Sequence, residues 1–174
     1  MEAPPAVEQT DYTNSVFFKN LPASDIYVGV VMGIDDKGEC EFEFAGVKTV
    51  ARGAEAHFGI VVDDEPFFIK TWPKKWSAHE KSWFGKLYHA TVGEFPHKLM
   101  AGDMVGKAVM IDVENRNKTS KKGTAYVASA IRGVSKVPSA LRGTAPRHED
   151  LLDAWNKAME PVATEEEDGN DAPF

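Results

Sequence analysis

Between Glu65 and Trp76 the chain reads EPFFIKTWPKKW, aromatic rings set among lysines. Such a mixture breaks no bonds by itself, but it can hold a ligand. Flat rings offer faces on which nucleobases stack, and neighbouring ammonium groups neutralise phosphates, which is what single-stranded nucleic acid asks of a surface. Period-two alternation places Phe68, Lys70 and Trp72 on one strand face, opposite Phe67, Ile69 and Thr71, and Lys74, Lys75 and Trp76 follow at once. In GTAYVASAIRG the same alternation puts Tyr126, Ala128, Ala130 and Arg132 together, with Val127 and Ile131 opposite. Small residues between a ring and a guanidinium leave a shallow floor. The polar run NRNKTSKKG just before it contributes Arg116, Lys118, Lys121 and Lys122 as a basic hairpin tip. Lys48 and Arg52 are weaker additions. Since strand aromatics are more often core than surface, about half of these rings are expected to be buried.

Catalytic chemistry finds no comparable support. The five histidines, His57, His79, His89, His97 and His148, are scattered without metal-ligand spacing, and Cys40 is the one cysteine. No GxxxxGK[ST] phosphate loop is present. Asp112 and Glu114 share a strand face, where a solvated edge is the expected role rather than an acid/base pair. The expectation is a protein that is not an enzyme, with no metal and no cofactor.

Charge is distributed in blocks. Residues 147–174 hold nine acidic and two basic residues, which accounts for the whole net charge of −7. Residues 1–65 hold thirteen acidic and four basic, whereas residues 66–146 hold five acidic and fourteen basic. A basic block thus lies between two acidic ones, and it is the block that carries the aromatics. No apolar run approaches the roughly 18 residues that span a membrane. The opening MEAPPAVEQTDYTNS has neither a basic region nor an apolar stretch, so no secretory signal is expected. With a single cysteine, a reducing compartment and a cytoplasmic location are expected.

The elements that must position these residues are mostly strands. IYVGVVMGI places Ile26, Val28, Val30, Met32 and Ile34 on one face; DDKG reads as a turn; ECEFEFAG alternates again with Phe42 and Phe44 opposite Glu41 and Glu43. AEAHFGIVV and PFFIKTW flank the turn-like DDE. Ser77 with Glu80 has capping-box spacing and predicts a helix from about Ala78 to Ala90, closing near Gly93, with Trp83, Phe84, Leu87 and Tyr88 on its core side. Two more strands follow, the first with Val109, Ile111 and Val113 on one face. About five strands with one helix before the last pair predict a mainly β fold, a five-stranded Greek-key OB-fold barrel, with a β-sandwich as the alternative. The expected organisation is a flexible lead-in over 1–24, the barrel over 25–138, a linker with a short helix over 139–160, and a disordered acidic tail over 161–174.

Two stretches resemble a known family. The ending EEEDGNDAPF is similar to the acidic tip of bacterial single-stranded DNA-binding proteins, with Glu165, Glu166, Glu167 and Asp168 as the acidic run and Asp171, Ala172, Pro173 and Phe174 as the tip. PFFIKTWPKKWSAHEKS, followed by a helix and GKAVMIDVENRNKTSKKGTAYVASAIRGVSKVP, resembles phage-encoded single-stranded DNA-binding proteins with an OB-fold. The resemblance covers about residues 50–138 plus the tail. The tip departs from the usual pattern at Asn170 and Ala172, and the N-terminal strand pattern of the bacterial tetramers is absent, so their oligomeric state is not carried over. The resemblance implies sequence-independent coating of single-stranded DNA and, through Glu165–Asp168, Asp171, Pro173 and Phe174, recruitment of replication or recombination proteins, in a host cytoplasm. The competing readings are an RNA-binding or strand-annealing module on the same surface, and an adaptor that works through its tail.

Overall fold

A computed structural model describes residues 20–158. The expected tail and residues 1–19 of the expected lead-in lie outside the described residues. Strand β1 (Asp25–Phe44) pairs along its length with β2 (Val47–Val62), and β3 (Glu65–Lys70) and the two-residue β4 (Lys74–Lys75) both pair with β2. Helix α1 (Trp83–Val92) and a single helical turn, α2 (Ala101–Met104), precede β5 (Ala108–Thr119) and β6 (Ala125–Ser135). A 3-10 turn (Ser139–Thr144) leads into α3 (His148–Ala158). The antiparallel sheet runs β3-β2-β1-β5-β6, and β3 and β6 approach each other, so it is a nearly closed barrel with a helix between strands, consistent with an OB-like fold. Among the described residues, no helix is long and apolar enough to cross a membrane.

The interior follows the strand period. Phe58 and Ile60 of β2, Phe67 and Ile69 of β3, and Val109, Ile111 and Val113 of β5 point inward, where Phe84 and Leu87 of α1 meet them. Full burial of each such side chain contributes about 1.5–3 kcal/mol. Two connections are two-residue hairpin turns, Ala45-Gly46 (φ 54° and 83°) and Asp63-Asp64 (φ 53° and 65°). Positive φ at both positions matches the right-handed strand twist.

Four expectations need correction. The DDKG stretch is not a turn: β1 runs through it with a register shift between Asp36 and Gly38, where the Gly38 N–H donates to Asp36 Oδ1 at 2.9 Å. The reversal falls instead at Ala45-Gly46, which makes β1 and β2 a long arm beyond the barrel. The face assigned to Ile26, Val28, Val30, Met32 and Ile34 is split by a bulge between Val31 and Gly33, so that Ile34 joins Val31 and Tyr27 against the core. Helix α1 starts at Trp83 because Ser82, not Ser77, is its cap; Ser82 Oγ accepts from Gly85 N at 2.9 Å and donates to the Ser77 carbonyl at 2.8 Å. The end of the lead-in is held, with Leu21 buried.

Candidate nucleic-acid interface

The last hairpin, β5–β6, reaches past the barrel as a second arm. Because Val109, Ile111 and Val113 face inward, Glu114, Arg116 and Lys118 face outward, and the register sets them directly opposite Ala130, Ala128 and Tyr126. Directly paired residues share one side of the ribbon. The tip is closed by Gly123 (φ 87°), whose N–H donates to the Ser120 carbonyl at 2.9 Å, leaving Lys121 and Lys122 exposed.

The other side of this arm is occupied. Leu21 N donates to Ser129 Oγ at 3.0 Å, Asn115 Nδ2 donates to the Leu21 carbonyl at 2.9 Å, Asn115 N donates to Ser24 Oγ at 2.9 Å, and Asn20 bridges Val127 and Ser129. Residues 20–24 therefore cover the Asn115–Ser129 side. The Tyr126 side stays open, with Tyr126 45% exposed on a floor of Ala128 and Ala130.

Charges on the open side are not equivalent. Arg116 Nε lies 2.8 Å from Glu114 Oε1 and holds that carboxyl below its ordinary range. Arg132, displaced by a bulge opposite Asp112 and Val113, reaches both Asp112 oxygens at 3.3 Å. Lys118, Lys121 and Lys122 have no ion pair among the described residues.

The EPFFIKTWPKKW stretch is divided by the fold. Thr71 is buried, exchanging bonds with the Ala56 backbone at 3.0 and 3.1 Å, and this turns the chain out of β3. Trp72 emerges 53% exposed, and Lys74 and Lys75 line up beside Ala54 and Gly53 without an ion pair among the described residues. Trp76 is a correction: its ring packs edge-on against Phe84, centroids 4.9 Å apart, and its backbone N–H donates to the Arg52 carbonyl at 2.8 Å. It belongs to the rim of the core. Arg52 itself is held by Asp36.

Phe68 and Lys70 are covered in this structure. The alternation is right, since they face away from Phe67 and Ile69, but α3 lies over that outer face. Phe68 is 4% exposed in a separate apolar cluster with Val30, Met32 and Leu151. Lys70 Nζ sits 3.1 Å from the buried carboxylate of Glu55, and Lys37 Nζ approaches the same oxygen at 3.8 Å. Burial pulls the Lys70 ammonium below the usual lysine range, opposed by Glu55, and pulls His57 down to about 4, with Lys70 adding to the effect. Asp35, Glu55 and His57 bring ligand-type atoms within 4.8 Å of one another. The two ammonium groups already compensate the carboxylates there, so the cluster is electrically balanced as it stands.

Two features escaped the sequence reading. On the β1–β2 arm, register places Phe42 with Thr49 and Phe44 with Val47 on one side, and Phe44 is 85% exposed. The alternation in ECEFEF announces that stripe but not that, among the described residues, its Phe44 end is left open. The other is an open pocket of about 360 Å³ rimmed by Lys107, Lys136 and Arg142 against Val92, Ala108 and Val137. Lys107 lies far in sequence from Lys136 and Arg142, so no local motif joins the three. Comparison with protein-family models, with curated proteins and with solved structures returns no match.

Proposed function

We propose that this protein is a non-catalytic, sequence-independent single-stranded DNA-binding protein. The observation that carries the reading is the open side of the β5–β6 arm: an exposed Tyr126 directly across from Lys118, which has no ion pair among the described residues, over a floor of alanines, below a tip bearing Lys121 and Lys122. A base stacked on the ring contributes about 1–3 kcal/mol whatever its identity, and the lysines neutralise phosphates to either side. Trp72, Lys74 and Lys75 offer a second exposed ring with cations. In this reading the acidic tail, from Glu165 to Phe174, recruits replication or recombination proteins, with its charge raising the encounter rate.

The test is a titration with oligo-dT at two salt concentrations, followed by tryptophan emission and by mobility shift. Salt-sensitive binding that weakens with Tyr126→Ala supports the proposal; no complex at low salt by either readout overturns it. Equal-length RNA and duplex competitors separate DNA coating from an RNA-binding or annealing role. A protein-interaction module is a second reading, and one observation favours it: Phe44 and Val47, 85% and 64% exposed at the end of the β1–β2 arm. In that case Phe44→Ala abolishes partner capture and Tyr126→Ala does not.

A further inference from the structure

Helix α3 lies on the barrel as a separate layer. Leu151 packs on Val30, Met32 and Phe68, with Ala154 and Trp155 beside it, and none of its residues belongs to the barrel interior. The seat is shaped for the helix. A Cβ at Gly59 would lie 2.7 Å from Leu151 Cδ1, and one at Gly33 would lie 3.0 Å from Trp155 Cη2. His148 Nε2 rests 3.4 Å from the Met32 carbonyl oxygen.

What α3 covers is unlike ordinary core. On the outer face of β2 and β3, register sets Phe68 opposite Gly59 and Lys70 opposite His57, and Trp155 stands edge-on to His57. The indole N–H of Trp155 is buried there with no hydrogen-bond partner among the described residues, which leaves a donor unsatisfied. Burial on this face holds Lys70 and His57 below their ordinary pKa ranges. Phe68 and Lys70, the latter ion-paired to Glu55 while the helix is seated, set a ring and one cation on the same sheet face, and strands 2 and 3 are the face that OB barrels offer to oligonucleotides. The covering helix exposes Glu149, Asp150 and Asp153, charges that a phosphate backbone repels.

We propose that α3 is a strap that occupies the Phe68–Lys70 face in the free protein and gives it up to single-stranded DNA. This rests on the nucleic-acid reading above and adds its regulation. The strap is tied to the barrel through the 138–147 connection, and the interior built on Phe58, Phe84 and Leu87 stays intact when it lifts. Binding at the open arm needs no lifting, so the two surfaces are separable by mutation.

The experiment uses the full chain and oligo-dT. Leu151→Ala with Trp155→Ala frees the strap, and affinity is expected to rise by about tenfold, because a closed state lowers apparent affinity by the fraction of molecules that are open. Gly59→Cys with Leu151→Cys, in a Cys40→Ser background, ties it down; the oxidised form is expected to bind more weakly than the same protein after reduction. Parent protein that binds DNA while both comparisons show no change overturns the strap and leaves the open-arm reading standing. Failure of every form to bind overturns both. Should the double alanine variant not fold, the redox comparison decides alone, because it is read on one protein in two states.

Discussion

The indole of Trp155 stands edge-on to the imidazole of His57, ring centroids 6.1 Å apart and planes at 83°. That contact joins the C-terminal helix to a histidine that is 2% exposed and titrates near 4, because burial disfavours its charged form and Lys70 adds repulsion. The pKa of the folded protein lies below that of an unfolded chain, about 6.5. The contribution is therefore complete above pH 6.5 and is lost as pH falls toward 4. On the order of 3 kcal/mol is at stake. Urea melts between pH 7 and pH 4 should show this loss, and His57→Gln should remove most of it. An unchanged pH dependence in that variant would assign the acid sensitivity to other groups.

Lys121 and Lys122 at the tip of the last hairpin have no ion pair among the described residues and point into solvent. If they contact phosphates, replacing both with alanine should lower the slope of log affinity against log salt by about 1.4, since each single-strand phosphate contact contributes about 0.7. Affinity should fall equally for dT and dA oligonucleotides. A variant with the parent slope rules the tip out as a phosphate contact.

Phe44 and Phe58 test the division between arm and barrel. Phe58 is 0% exposed, and Phe58→Ala should cost about 3–5 kcal/mol through lost transfer and the cavity left behind. Phe44 is 85% exposed, and Phe44→Ala should stay within about 0.5 kcal/mol. Denaturant midpoints report both. A large cost at Phe44 would mean the arm is packed against something in solution.

Gly85 sits in the first turn of α1 with no room for a side chain. A Cβ there would lie 2.0 Å from the His79 carbonyl oxygen, a backbone atom of the loop that Ser82 caps. Gly85→Ala should destabilise by about 3 kcal/mol, the upper part of the range for overpacking, despite alanine's better helix propensity. A neutral or stabilising result in a thermal melt would place the SAHEKS loop elsewhere.

Where one face of a strand is buried, its alternation was enough to read it. Val109, Ile111 and Val113, and Phe67 with Ile69, lie inward as their period requires, and the basic tip of the last hairpin stands where its composition puts it. The open pairing of Tyr126 with Lys118 needed only the hairpin register in addition. Local pattern could not reveal the bulge after Val31, because one extra residue moves Ile34 to the other face without changing any residue type. Nor could it locate the reversal at Ala45-Gly46, since positive φ at an alanine is set by the pairing of long strands and not by alanine's own preference. The residues themselves thus determined a mainly β barrel with cationic, aromatic strands. Tertiary packing decided which rings are available: Phe68 and Trp76 are covered by residues distant in sequence or on another element, Leu151 and Phe84, whereas Tyr126 and Trp72 have no such cover among the described residues. Alternation says which side of a strand a residue takes, but only the path of the rest of the chain says whether that side meets water.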